Sequence, residues 1–257
     1  MNDPLYAAVI CAAGNSSRMG GIKKEYHPLP AKAGLPKGRP DETVLGAAVT
    51  AFTAADRIGL IVIVFPPAEN GEAEARAALP AGLLADGSRP RLLFAAGGKT
   101  RRASVHHALT LLSAHKPDYV LIHDGARPWV DAALVNRIID AVAIHTAVIP
   151  VLPLTETPKE IEKSDGKPGG AGCPAAAVFV KRHLRRPAVV TAQTPQAFAF
   201  PEILHAHEKA AEKEQTEGVE FTDDAEIWGE FCGPVAVIPG APENRKITFP
   251  EDLNSII

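Results

Sequence analysis

The chain is expected to fold as an α/β protein: a mostly parallel sheet with helices on both faces, and one protruding β-arm. Three features predict this. Short apolar runs rich in β-branched residues recur at Tyr6–Cys11, Leu60–Phe65, Arg91–Ala95, Tyr119–His123 and Ala147–Val151, and unbroken apolar runs are what strands buried on both faces show. Helical stretches alternate with them at Leu45–Ala55, Ala68–Leu79, Arg101–Ala114 and Asp131–Ile144, and such alternation closes as right-handed βαβ units. Residues 152–192 break the rhythm, with a polar, glycine-rich tip at Lys163–Gly172 between more apolar flanks, which reads as a hairpin. A hairpin alone is marginal in water, so this arm is expected to pack against something, a second subunit first of all.

Length and composition narrow the function. At 257 residues the chain is long enough for one large α/β domain, and the expected organisation is a single domain over 1–257 with 152–192 as a dimerisation arm. A net charge of −3 argues against a general nucleic-acid binder, so any anion site must be a local gathering of cations. No apolar run approaches a membrane span, and Met-Asn-Asp-Pro carries no basic region before the first apolar run. Cys11, Cys173 and Cys232 are odd in number and widely spaced, which suggests a reducing compartment, without a metal cluster, and makes the cytoplasm the expected location.

The first strand runs into Ala12-Ala13-Gly14-Asn15-Ser16-Ser17-Arg18-Met19, followed by Lys23 and Lys24. Small residues let a backbone approach a ligand closely and leave its N–H groups free for an anion. The dinucleotide fingerprint fails because Ser16 occupies the second glycine's place, and no window supplies a P-loop. The stretch reads as a phosphate or nucleotide loop, with an ordinary strand-to-helix turn bearing solvated lysines as the alternative. Residues 27–43, with four prolines and two glycines, read as a long loop.

In open α/β sheets ligands sit at the carboxyl ends of the strands, so the loops after each strand matter most. The third strand leads into Gly97-Gly98-Lys99-Thr100-Arg101-Arg102-Ala103-Ser104, either a second anion or base contact at a helix start or a plain helix N-terminus. The fourth leads into His123-Asp124-Gly125-Ala126-Arg127-Pro128. Asp124 is placed to meet Mg²⁺, and Arg127 to hold a phosphate by its planar fork; an internal Asp–Arg pair is the other reading. His123 is either a base or a strand-end histidine with its hydrogen bonds satisfied. Gln193-Thr194-Pro195-Gln196 is a polar island, and Phe221-Thr222-Asp223-Asp224-Ala225 reads as a helix N-cap with acids in the first turn. Asn244–Thr248 reads as a short strand before a final helix, with Lys246 facing either solvent or the site. No Gly-x-Ser-x-Gly elbow is present.

Six of these stretches, in order and across nearly the whole chain, resemble the 2-C-methyl-D-erythritol 4-phosphate cytidylyltransferase family. They are Ala12-Ala13-Gly14 with Arg18-Met19 and Lys24; Gly98, Arg101 and Ser104-Val105; His123-Asp124-x-Ala126-Arg127-Pro128; Gln193-Thr194-Pro195-Gln196 with Phe198; Thr222-Asp223-x-Ala225; and Asn244-x-Lys246-Ile247-Thr248-x-Pro250-Glu251-Asp252-Leu253. The resemblance implies a Rossmann-like nucleotidyltransferase fold and a Mg²⁺-dependent transfer of CMP from CTP to a polyol phosphate, with release of pyrophosphate. It implies catalytic roles for Arg18, Lys24 and Lys246, and nucleotide contacts at Ala12, Ala13, Gly14, Asn15, Ser16, Gly97, Gly98, Ser104, Asp124 and Gly125. Asp124 would lie by the metal. Arg127, Thr157, Arg186, Thr194 and Thr222 would hold the acceptor, Arg186 arriving from the arm of a homodimer partner.

The chemistry agrees with the residues. A phosphate monoester is mostly dianionic at pH 7 and is already a nucleophile, so positioning and cations are needed rather than a general base. Two departures from the family pattern stand in the first loop: Ser16 where glycine is frequent, and Glu25 where glutamine is usual. Glu156-Thr157-Pro158-Lys159 also differs from the family's Asp-Thr-apolar-Lys. A ribitol 5-phosphate cytidylyltransferase is the nearest rival, and Ala126 and the Thr-Asp-x-Ala block favour methylerythritol. A sugar 1-phosphate nucleotidyltransferase and a non-catalytic nucleotide-binding protein are the further alternatives.

Overall fold

The structure is a computed structural model that describes residues 3–14, 16, 19–20, 23–29, 42–55, 57–85, 87–163 and 178–254. Its elements in chain order are β1 (Tyr6–Cys11), α1 (Val44–Thr53), β2 (Ile58–Phe65), α2 (Gly71–Ala77), β3 (Arg91–Ala96), α3 (Arg101–Ser113), β4 (Tyr119–Asp124), α4 (Ala132–His145), β5 (Ala147–Pro153), β6 (Lys159–Lys163), β7 (Val178–His183), β8 (Val190–Ala192), β9 (Gln196–Ala199), α5 (Glu202–Glu217), α6 (Asp224–Phe231), β10 (Ala236–Pro239) and α7 (Pro250–Asn254). They fall into two compact units, Met1–Pro150 with Gln193–Ile257, and Val151–Ala192.

In the first unit the strand order is β10-β5-β9-β4-β1-β2-β3. The pairs β1–β2, β1–β4 and β2–β3 are parallel, as the alternating pattern predicts. Beyond β4 the mostly parallel sheet becomes mixed. The run at 147–151 does not extend the parallel set, because antiparallel β9 lies between β4 and β5 and pairs with both. β9 is only four residues long, too short to announce itself by periodicity.

β1 shows why the buried runs are continuous. Tyr6, Ala8 and Ile10 pack on one side with residues of α1 and α4, while Ala7 and Val9 pack on the other with residues of α3, α5 and α6. Successive side chains point to opposite faces, so covering both faces demands apolar residues throughout. Register then does the functional work: Cys11 stands opposite both Val64 and Asp124, and Val64 opposite Ala95. The carboxyl ends of β1, β2, β3 and β4 are thus level, and their loops leave from one edge.

Helix starts follow the capping rules. Thr43, Thr100, Asp131 and Asp223 each accept a hydrogen bond from the amide three residues on, satisfying one of the amides a helix leaves open. The long loop at 27–43 is closed at its base, where Leu29 N donates to Glu42 O (2.8 Å) and Val44 N to His27 O (3.0 Å); residues 30–41 lie outside the described residues. Asn244–Thr248 is not a strand. It is an irregular segment held by Ile247 N donating to Ala126 O (2.9 Å) and by side chains, a pattern that propensity does not reveal.

In the second unit β6 and β7 form an antiparallel pair, and β8 pairs with Val151–Pro153. Ile161, Val178, Phe179 and Val180 are exposed on this unit. Most of the expected tip, 164–172, lies outside the described residues. Among the described residues no helix is long and apolar enough to cross a membrane.

Candidate active site

The level strand ends of the first unit enclose a cavity of about 450 Å³. Its wall includes Ala13, Gly14 and Ser16 after β1, Gly98–Arg101 and Ser104 after β3, Asp124 at the end of β4 and Ala126 after it, with Lys24, Glu25, Lys246 and Thr248. The first two loops meet because Gly97 has no side chain: a Cβ there would come 2.4 Å from Ala13 Cβ, and one on Gly98 would come 2.6 Å from Ala103 Cβ. Ser104 then closes the second loop, accepting from Gly98 N (3.0 Å) and donating to Thr100 O (2.9 Å).

Asp124 is the charged centre. Lys246 Nζ is 2.9 Å from its Oδ2 and Arg127 Nε 3.6 Å, while Arg101 Nε is 3.5 Å from Oδ1. Burial pushes this carboxyl's pKa up, but the charges of Lys246, Arg101 and Arg127 outweigh that and hold it well below the usual carboxylate range. It is therefore an anion at any physiological pH. Lys24 lines the wall, and its Nζ donates to Ile247 O at 2.9 Å.

A polar scaffold fixes these groups. Thr194 Oγ1 accepts from Asp124 N (3.1 Å) and lies 3.0 Å from His123 Nδ1, and His123 Nε2 lies 3.3 Å from Arg127 O. Burial pushes the His123 pKa down to about 4, so the ring is neutral. Because a carbonyl only accepts, the proton belongs on Nε2, and Thr194 O–H donates to Nδ1. Gln193 Nε2 donates to Ala241 O and Asn244 O (2.9 and 3.1 Å), and Asn244 Nδ2 to Thr194 O (2.7 Å). Arg127 Nη1 donates to Asn244 O at 2.8 Å. The segment carrying Lys246 is thereby bound to the strand end carrying Asp124.

A family model described as IspD, 2-C-methyl-D-erythritol 4-phosphate cytidylyltransferase, matches residues 6–256. The chain belongs to this family. It is 37% identical over 255 residues to a bifunctional enzyme IspD/IspF of Solidesulfovibrio magneticus, covering 96% of this chain and 55% of that protein. A namesake from Bradyrhizobium is 38% identical over 248 residues, covering 96% and 54%. The chain thus spans about half the length of these relatives. Among solved structures it resembles the 4-diphosphocytidyl-2C-methyl-D-erythritol synthase of Anaerococcus prevotii (26% identity, TM-score 0.72, 98% of this chain and 93% of that one). It also resembles the 2-C-methyl-D-erythritol 4-phosphate cytidylyltransferase of Thermus thermophilus (28%, 0.62, 96% and 94%).

Of the residues that the IspD resemblance nominates, the structure brings Ala13, Gly14, Ser16, Lys24, Gly98, Ser104, Asp124 and Lys246 to one cavity wall. Arg18 and Asn15 lie outside the described residues. Ala12, Gly97 and Gly125 do not line the cavity; Ala12 N is held by Val64 O and Gly125 N by Cys11 O, both at 2.9 Å. Arg127 and Thr194 sit in the scaffold around Asp124. Thr222 is off the wall: its amide and hydroxyl both donate to Glu226 Oε2 at 2.8 Å, capping α6. Thr157 and Arg186 belong to the second unit, where Arg186 Nη1 donates to Thr155 O at 2.8 Å.

Sequence reasoning left out Arg101, Glu25 and Thr248 as site residues, although all three line the cavity. Arg101 follows the Thr100 cap at a strand-end loop, a position that could have flagged it. Among the described residues no three His, Cys, Asp or Glu side chains gather as a metal cluster. Asp124, anionic, has both oxygens engaged by cations, Oδ1 accepting from Arg101 Nε at 3.5 Å and Oδ2 pairing with Lys246 at 2.9 Å, which leaves Mg²⁺ to be held chiefly by phosphate oxygens and water, the usual habit of that ion.

Proposed function

We propose that this chain transfers the cytidylyl group of CTP to 2-C-methyl-D-erythritol 4-phosphate and releases pyrophosphate. The observation that carries the proposal is the anionic Asp124 ringed by Lys246, Arg101 and Arg127 at the wall where the β1 and β3 loops meet. An acceptor phosphate oxygen attacks the α-phosphorus, the bond to pyrophosphate breaks, and the electron pair leaves on the pyrophosphate oxygen. The acceptor is already a dianion, so no base is required, and the protein's task is to hold two polyanions together and neutralise charge on the α- and leaving phosphates.

In this scheme Lys24, Lys246 and Arg18 stabilise the transition state, and the loop at Ala12–Ser16 with the Gly97–Ser104 loop holds the nucleotide. Asp124 would lie beside Mg²⁺, which when bound supplies charge neutralisation on the triphosphate. Arg127 and Thr194 orient Asp124 and border the acceptor site, with Thr157 and Arg186 completing it from the arm of a second subunit. Ile161 and Phe179, 64% and 41% exposed, support an arm that is covered in a homodimer. Cys11 and Cys232 are free thiols, in keeping with a reducing, cytoplasmic setting.

The test is pyrophosphate release with Mg²⁺, CTP and either methylerythritol 4-phosphate or ribitol 5-phosphate, with ATP, GTP and UTP as controls. Release with CTP and methylerythritol phosphate is expected. Preference for ribitol phosphate would change the acceptor, and no release with either would overturn the proposal.

A further inference from the structure

The loop after β1 is held by a clip of side chains that the reaction scheme leaves unused. Ser16 stands in the left-handed backbone region, with φ of +47°, a conformation that strains a residue with a Cβ and persists only where its surroundings fix it. Its carbonyl accepts from Met19 N at 2.8 Å. Its hydroxyl donates to Glu25 Oε2 (3.3 Å) and accepts from Lys24 N (3.4 Å). The second bond matters locally. Lys24 opens a single 3₁₀ turn, Lys24–Tyr26, and the residue before it supplies no side-chain cap, so Ser16 satisfies that open amide from outside the turn. Lys23 Nζ completes the clip, donating to Gly14 O and lying 3.6 Å from Glu25 Oε2.

We propose that Glu25 is a positioning residue for nucleotide binding: through Ser16 and Lys23 it fixes the backbone at Gly14 and Ser16, and with it Lys24, in the form that receives the triphosphate. Gly14, Ser16, Lys24 and Glu25 all line the cavity. A carboxylate only 4% exposed on the wall of an anion site would repel a triphosphate if it stood alone. Here it accepts from Ser16 and faces the Lys23 ammonium, so its charge is directed into the loop. Glycine reaches the left-handed region without strain, and a loop built on it needs no such clip. This chain carries Ser16 there and holds it by bonds, which makes Ser16 and Glu25 one device rather than two separate departures from the family pattern.

The inference rests on the reading of the loop after β1 as the triphosphate site, and binding tests it apart from turnover. CTP affinity in the presence of Mg²⁺ is measured by calorimetry on the full chain and its variants. Pyrophosphate release gives KM for CTP and for the acceptor, and thermal unfolding checks that each variant folds. Glu25→Ala is expected to weaken CTP binding about tenfold, the scale of one charge-assisted hydrogen bond, while KM for the acceptor moves less than about twofold. Glu25→Gln, which still accepts from Ser16, should lie between that variant and wild type, and it carries the comparison if the alanine variant does not fold. Ser16→Gly is measured alone and together with Glu25→Ala. The double variant should bind CTP no more weakly than Glu25→Ala, because the clip is already open. Wild-type CTP affinity in every folded Glu25 variant would overturn the inference, and so would losses that multiply in the double variant. If wild type binds CTP but turns over neither acceptor, the reaction proposal fails while the affinity comparison still decides the role of Glu25.

Discussion

Lys246 Nζ lies 2.9 Å from Asp124 Oδ2, a pair joined across 122 positions of sequence. The contact settles which way Lys246 faces, and it holds a cation beside the carboxylate at the cavity wall. Lys246→Met and Lys24→Ala are each expected to lower turnover by roughly two to three orders of magnitude, the scale for losing one preorganised charge-stabilising donor. Initial rates of pyrophosphate release at saturating substrates measure this. Turnover within threefold of wild type in either variant would remove that lysine from the catalytic role.

Thr194 serves two buried groups with one hydroxyl, accepting from Asp124 N and donating to His123 Nδ1. Thr194→Val keeps the shape and removes both bonds. It is expected to cost about 2 kcal/mol, the scale of leaving buried polar groups unsatisfied, whereas Thr194→Ser should cost much less. Urea unfolding of the three chains compares them directly. Equal midpoints for the valine and serine variants would contradict the proton assignment.

His123 also sets a pH dependence. Burial pushes its folded pKa down to about 4, below the ordinary value near 6.5. Between those values the unfolded chain binds more protons than the folded one, so stability rises with pH there. The contribution is complete above about pH 6.5 and is lost as pH falls toward 4, amounting to about 3 kcal/mol across the window. Denaturant unfolding of the unliganded chain from pH 4.5 to 7.5 should show this slope, and His123→Asn should flatten it. An unchanged slope in the variant would assign the effect to other groups.

Ser16 occupies a left-handed backbone conformation, with φ of +47°, which disfavours any residue bearing a Cβ. That is the physical reason a glycine suits this position. Here Ser16 donates to Glu25 Oε2 (3.3 Å) and accepts from Lys24 N (3.4 Å), so the two departures from the family pattern in this loop touch each other. Ser16→Ala keeps the strain and loses both bonds, while Ser16→Gly loses the bonds and the strain together. The alanine variant is therefore expected to be less stable than the glycine variant by about 1 kcal/mol. A shared midpoint of thermal unfolding would show that the backbone relaxes instead.

Much of the parallel half of the sheet was legible. β1 matches its expected bounds residue for residue, and β3 and β4 each run one residue further, because strands covered on both faces leave continuous apolar runs. The antiparallel insertion of β9 was not legible, since four residues carry little periodicity and their place depends on pairing with β4 and β5. The polar island at Gln193–Gln196 stood out in sequence without a purpose. In the fold it is a set of staples, Gln193 to the 241–244 turn, Thr194 to the end of β4, and Gln196 to the start of α6.

Local chemistry decided the rest of what could be read from one dimension: buried strands from unbroken apolar runs, helix starts from Thr100, Asp131 and Asp223, and a phosphate-like loop from small residues followed by cations. Tertiary structure alone decided which charges meet. Arg101 lies 23 positions from Asp124, and Lys246 lies 122 positions away. Asp224, which looks like an ordinary first-turn acid, becomes a buried counter-ion for Arg101 only when α3, α5 and α6 converge. Coulomb interactions depend on distance and burial, and neither is written in the spacing of residues along a chain.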